Sequence, residues 1–213
     1  MGKTEILKIK GDWEEVVNDC RATVKKPPLG KEPSTDFKRR ILIAEHSPIR
    51  DITVKFRWKG IPYWVAMHWK THHWESRVNS QRNDRQKEYD RTKAPQDAPV
   101  DFIGDANVQN LIDTWRKRLC RQASSETQEY AEDFKEALRE KEPEVASVLV
   151  PNCVYRGFCP EMNPCGWWTV FAASLTRDEL LDGQKRYAKY NEWFEAHMWF
   201  DAHMEATHEI RQP

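Results

Sequence analysis

The chain has no excess of charge of either sign. Its 213 residues carry 34 Lys and Arg against 34 Asp and Glu, a formal net charge of zero. Generic nucleic-acid binding needs a basic surface that releases counterions, so this balance argues against it while leaving a local basic site open. Long apolar runs are missing too. No stretch approaches membrane-spanning length, and the opening MGKTEILKIKGDW lacks the continuous apolar core of a signal peptide. Met-Gly begins the chain, but Ile6 stands where a myristoylation site has Ser or Thr. The expectation is a soluble, cytoplasmic protein with neither membrane nor nucleic acid among its partners. Internal repeats and low-complexity tracts are absent, which excludes repeat architectures. Cysteine is sparse: five residues, an odd number that suits reduced thiols rather than a disulfide framework. Cys153, Cys159 and Cys165 have five intervening residues each time, not the two of a zinc knuckle. They read either as metal ligands awaiting a fourth or, more plainly, as small buried apolar residues.

Aromatic residues are plentiful by contrast. Ten tryptophans suit cores and subunit contacts better than stacking platforms. The length suffices for one substantial α/β domain with a real core. The most informative stretch is Phe56–Arg85, FRWKGIPYWVAMHWKTHHWESRVNSQRNDR. The strand before and into it alternates, with Ile52, Val54, Phe56 and Trp58 on one face and Thr53, Lys55 and Arg57 on the other. Gly60 is expected to break that strand, and Pro62 suits the first turn of a helix. The helix, expected over Pro62–His72, turns Trp64, Val65, Met67 and Trp69 broadly inward and ends in Thr71, His72 and His73. Ser80, Gln81 and Arg82 follow in one polar loop. An apolar strand–helix scaffold that delivers polar groups to a loop is a common way to position a binding site.

Elsewhere the patterning favours helix. Residues 25–36 read as a loop. Asp36 is a candidate cap for a helix to about Glu45, with Phe37, Ile41 and Ala44 at helical spacing. Residues 82–101 read as a long polar loop, and long loops in compact domains are often functional. From Asp105 a helix carries Val108, Leu111, Ile112, Trp115 and Leu119 on one face. Another spans Ser125 to Glu140, and Pro143 starts a short apolar one that stops by Pro151. A long helix then runs from Arg177 to about Ile210 through Leu180, Tyr187, Tyr190, Phe194 and Met198.

The order of segments resembles the flavin-dependent thymidylate synthases over about residues 18–158. Their signature is Arg-His-Arg at a helix end and a loop ending Ser-x-Arg-Tyr. Thr71-His72-His73 and Ser80-Gln81-Arg82 stand in those places, with Asn83 instead of the tyrosine and a loop about one residue shorter. Cys20-Arg21-Ala22-Thr23 is similar to the family's early Ala-Arg-Val-Ser, and His46-Ser47-Pro48-Ile49-Arg50 to its His-x-x-Pro turn. Glu144-Val145-Ala146 and Leu149-Val150-Pro151 resemble the helix ending in Leu-Pro, and Tyr155-Arg156 lies one residue from its Tyr-x-Arg. The departures are as definite. Thr71 and His73 replace both signature arginines, and SLTRDELLDGQKRYAKY holds no counterpart of the C-terminal Arg…Ala-Gln-x-x-x-Arg. A divergent branch, for instance a phage-borne one, suits this better than a standard member.

The resemblance implies an α/β (α+β) fold, with a central mixed or antiparallel sheet flanked by long helices. It implies one domain over residues 1–213, with 177–213 a C-terminal helical extension. It also implies methylation of dUMP to dTMP, or a related C5 modification of a pyrimidine deoxynucleotide, in a homotetramer. FAD would be the cofactor, and NADPH and methylenetetrahydrofolate the co-substrates. Thr71, His72, His73 and Ser47 are then the cofactor-binding candidates. Ser80, Gln81, Arg82, Arg156 and His68 are the substrate-binding candidates, and no catalytic residue is assigned. Each has a plainer reading. Arg82 also reads as a solvated loop arginine, and His72 as a helix C-terminal histidine that complements the dipole. His68 and His72 have a metal-binding spacing, but Trp69 stands where a zincin has Glu, so no metal is expected. Arg21 and Arg50 are further basic candidates, and Asn107 and Gln109, near the start of the long helix, read equally well as candidates or as helix-solubility residues. A non-catalytic nucleotide-binding or assembly protein on the same fold is the alternative to the enzyme.

Overall fold

A computed structural model of the chain describes residues 3–85 and 90–209, with side chains as far as residue 197. The chain divides into two compact units, Met1–Pro151 and Asn152–Pro213. The second unit begins 25 residues ahead of the extension expected from residue 177.

The first unit is built on a four-stranded sheet. Its strands are β1 (Thr4–Lys10), β2 (Thr53–Pro62), β3 (Glu75–Val78) and β4 (Pro99–Asn107), in the spatial order β1-β2-β4-β3. Every pairing is antiparallel. The expected strand at residues 53–58 therefore lies inside the sheet, paired on both edges. Val54, Phe56 and Trp58 are buried while Thr53, Lys55 and Arg57 are half-buried, so the alternation sorts the two faces as a pleat requires. Gly60 does not end the strand. It sits at a bulge between Trp58 and Ile61 with φ of 67°, a conformation that favours glycine, and β2 resumes at Ile61.

Helices α1 (Trp13–Thr23), α2 (Thr35–Ile43), α3 (Tyr63–Lys70), α4 (Val108–Arg118), α5 (Ser125–Arg139) and α6 (Pro143–Ser147) complete the unit, with a 3₁₀ turn at Ser47–Asp51 before β2. Capping explains most of their starts. Asp12, Ser34, Asn107 and Ser124 each accept a hydrogen bond from a backbone N–H of the first turn. Ser34 thus caps α2, rather than Asp36. Asn107 caps α4 two residues later than Asp105 would, because β4 runs up to Asn107. α3, α4 and α5 cover the apolar face of the sheet. Trp58, Trp69, Phe102, Trp115 and Phe134 are fully buried there around Phe56. The ring centroids of Phe56 lie 4.8 Å from Trp58 and 4.7 Å from Phe134, both edge-to-face. Truncating a ring in such a cluster costs about 3–5 kcal/mol. Of the four α3 residues expected inward, Val65 and Trp69 are buried, while Trp64 and Met67 are half-buried.

The second unit comprises α7 (Asn152–Arg156), α8 (Trp167–Ala173), α9 (Arg177–Leu181) and α10 (Gly183–Glu209). The single helix expected from Arg177 is broken at Asp182, whose extended backbone ends α9 and whose side chain accepts from the Gln184 and Lys185 N–H groups. Buried Arg186 ties this unit together. It donates to the carbonyls of Val154 at 2.5 Å, Leu180 at 2.6 Å and Tyr155 at 3.0 Å. Tyr187, Tyr190 and Phe194 are buried and Leu180 is half-buried, while the Met198 side chain and Ile210 lie outside the described residues. No helix among the described residues is long and apolar enough to cross a membrane.

Candidate functional site

The signature segment forms a tightly held turn. α3 ends at Lys70, and the Thr71 hydroxyl donates back to the His68 carbonyl at 2.9 Å. The chain then reverses through His72 and His73 into β3. Three side chains clamp the reversal. The Trp74 indole donates to the Trp69 carbonyl at 3.1 Å. The Asn110 amide donates to the His73 carbonyl. Arg118, at the end of α4, donates from Nη2 to the His68 carbonyl and from Nε to His72 Nε2, each at 2.9 Å.

This turn forms one wall of a cleft of about 610 Å³ lined by Arg50, Thr53, His72, His73, Trp74, Glu75, Asp105, Asn107 and Asn110. Four pieces of the chain meet there: the 3₁₀ turn, the start of β2, the α3–β3 reversal, and the junction of β4 with α4. Arg50 is exposed and brings positive charge. Glu75 pairs with Arg77 at 3.0 Å, and Asp105 with Lys10 at 3.4 Å, so both carboxylates are already partly neutralised. His72 is half-buried, and burial, then the charges of Arg118, Lys117 and His73, lower its pKa to about 4. At neutral pH it is an uncharged hydrogen-bonding group.

The sequence candidates fall into several places. His72 and His73 line the cleft together with Arg50, a further basic candidate, and Asn107, which reads equally well as a helix-solubility residue. Thr71 caps α3 beside them. His68 is exposed on α3 with Nδ1 3.4 Å from the Thr127 hydroxyl, away from the cleft-lining set. Ser80, Gln81 and Arg82 lie in the loop after β3. Arg82 is held there by Asp84, with Nε to Oδ1 at 2.9 Å and Nη2 to Oδ2 at 2.6 Å. That exposed bidentate pair competes with any anion for the guanidinium. The loop begins at Asn79 and gives way to β4 at Pro99, earlier than the expected 82–101 span at both ends. Residues 86–89 within it lie outside the described residues. Arg156, on α7 of the second unit, donates to the Asn152 side chain at 3.0 Å.

Ser47 is exposed at the start of the 3₁₀ turn. Its neighbour His46 lines a second, mainly apolar cavity of about 400 Å³ with Cys20, Thr23, Val24, Phe37 and Ile41. The Cys20–Thr23 and His46–Arg50 segments are therefore brought together, with Cys20 Sγ 3.8 Å from His46 Nδ1. The three later cysteines differ in setting: Cys153 is buried, Cys159 half-buried and Cys165 exposed. Trp74, Asn110 and Arg118 were missed at the sequence level. The only hint of Arg118 is its place in a basic last turn, where dipole complementarity alone explains a cation.

The four-stranded antiparallel sheet, the bulged strand leading into α3 and the helices covering one face define a thymidylate synthase-like α+β fold. The solved structures with this fold include the UMP/dUMP methylase PolB from Streptomyces cacaoi bound with 5-Br dUMP. It shares 13% identity at a TM-score of 0.55, over 68% of this chain and 93% of that one. The same methylase bound with 5-Br UMP gives 13% identity and a TM-score of 0.53, over 68% and 92%. At that identity the likeness is one of fold. No family model matches the chain, and no curated protein sequence matches it significantly.

Proposed function

We propose that the His72–Arg50 cleft binds a pyrimidine nucleotide, dUMP or UMP, and that the protein modifies C5 of its base, in the first instance by methylation. The observation that carries this reading is the cleft itself. It places a neutral histidine, an exposed arginine and two asparagine amides around one space, in a fold shared with an enzyme that methylates UMP and dUMP. Arginine suits the phosphate, and amides with an imidazole suit the carbonyls of the base.

The proposal extends to FAD as cofactor, with NADPH and methylenetetrahydrofolate as co-substrates, in a cytoplasmic homotetramer. The donors present fit a flavin ring edge, since His72 keeps one N–H free of the Arg118 bond. When bound, the flavin would supply the reducing equivalents for the one-carbon unit. The chain's own work is then to orient the base and hold the phosphate. Thr71, His73 and Ser47 remain the other cofactor candidates, and Ser80, Gln81, Arg82, Arg156 and His68 the other substrate candidates.

Titration calorimetry tests the reading. Losing a charge-assisted contact to a bound anion costs about 2–5 kcal/mol, so Arg50→Ala should weaken dUMP binding roughly thirty-fold or more. Arg82→Ala should weaken it as well, by less, because Asp84 already engages that guanidinium. Arg91→Ala, in the solvated part of the loop, is the control. Uptake of FAD gives a flavin absorbance, which His72→Ala should reduce. A chain that binds neither ligand fits the assembly-protein alternative instead.

A further inference from the structure

The geometry points to Arg118 as the positioning residue that fixes His72 as a neutral imidazole with its proton on Nδ1. The cleft then offers its ligand a hydrogen-bond donor at this position, and neither an acceptor nor a cation.

The argument starts from what a guanidinium can do. It has five N–H donors, no acceptor and a charge that it keeps. Its Nε lies 2.9 Å from His72 Nε2, so Nε2 has to present its lone pair. A neutral imidazole carries one proton, which leaves Nδ1 to hold it. Protonating Nε2 as well would break this bond and set two cations in contact. Arg118 cannot easily swing away. Its Nη2 is bound to the His68 carbonyl at 2.9 Å, and its Cζ lies 5.9 Å from the centre of the buried Trp69 ring.

The surroundings act in the same direction. Trp69 and Trp74 flank the imidazole, with centroids 6.2 and 5.6 Å away, and half-bury it. Lys117 from α4 and His73 add positive charge. Arg50 faces the same cleft, while Glu75 and Asp105, which would favour an imidazolium, are engaged by Arg77 and Lys10. Since Nε2 is taken, the nitrogen left for a ligand is Nδ1, and it donates. The group it recognises is a carbonyl or phosphate oxygen or a ring nitrogen that carries a lone pair. That such an atom belongs to a pyrimidine nucleotide rests on the function proposed above; the state of the ring does not.

Long-range proton–nitrogen correlation spectra of the ¹⁵N-labelled full chain, recorded over a pH series, test this. The wild type should show His72 with Nδ1 protonated and Nε2 unprotonated, and with a midpoint near 4. Arg118→Met should raise the midpoint toward the ordinary value of about 6.5 and shift the proton toward Nε2. Arg118→Lys keeps the charge without the rigid fork, so the midpoint should stay low while the tautomer preference weakens. An Nε2–H tautomer in the wild type overturns the inference, as does a midpoint near the ordinary value. Both readings need no variant to fold. An Arg118→Met protein with unchanged midpoint and tautomer overturns it equally. Adding dUMP asks the separate question. A ligand-induced change at Nδ1 supports both readings, while no change with the Nδ1–H tautomer intact counts against the nucleotide alone.

Discussion

His72 links the site to folding. Its folded pKa of about 4 lies below the ordinary 6.5 that the unfolded chain recovers. Above pH 6.5 the ring is neutral in both states and costs nothing. Between about 6.5 and 4 the unfolded chain takes up a proton that the folded chain refuses, so stability falls as pH falls through that window and levels off below it. The size should be on the order of 1–2 kcal/mol once screening by the solvent that reaches the ring is allowed for. Unfolding free energies of the wild type and His72→Gln from urea titrations at neutral pH and near pH 4 should diverge by that amount, the wild type losing more. At this scale the site was partly legible. His72 and His73 stood out because they stand where the family that the sequence resembles carries Arg-His-Arg. Arg118 did not, because nothing in the spacing of α4 says that its last turn meets the end of α3. Arg82 stood out on motif, yet its Asp84 partner, two residues on, is as local as the motif and reads equally well as a surface ion pair.

Among the elements, β2 and β4 are locked together at one point where no side chain fits. A Cβ on Gly104 would lie 2.3 Å from Cζ of Phe56, the residue paired with it across the sheet. Phe56 is fully buried among other rings and cannot retreat. Gly104→Ala should therefore cost about 1–3 kcal/mol by overpacking. Combined with Phe56→Leu, it should cost less in thermal unfolding than the two single losses added together, a coupling that a purely backbone effect of the alanine would not produce. The same glycine explains why β4 is not read as a strand, its first residues falling in the loop to 101 and its last in the helix from Asp105. Its buried face runs Val100, Phe102, Gly104 and Ala106, an alternation in which half the members are too small to register as apolar, beside Pro99 and two aspartates. β1 escaped notice for a different reason. TEILKIK alternates, but it is an edge strand whose burial is slight, and Lys8 and Lys10 give it the polarity that discourages edge pairing. β2 was legible because it is central: one of its faces is buried, and the alternation there runs unbroken from Thr53 to Trp58.

For the molecule as a whole, the homotetramer proposed above carries its own test. Light scattering at micromolar concentration should return four times the 25.3 kDa of one chain, and a monomer mass would remove that part of the proposal. Of the tryptophans that suit cores and subunit contacts, Trp58, Trp69 and Trp115 are fully buried in the core of the first unit. Trp69 stands 4.8 Å from Trp58, 5.2 Å from Trp115 and 6.1 Å from Trp74, ring centre to ring centre. Indoles that close exchange excitation, so light absorbed by one is shared by all four. The imidazole of His72 touches this shared chromophore through Trp69 and Trp74. A neutral imidazole leaves an excited indole alone, whereas an imidazolium accepts its electron and darkens it. The ring that sets what the cleft can recognise thereby reports its own protonation in the protein's ultraviolet glow, dimming as pH passes the value near 4 at which Arg118 loses its hold.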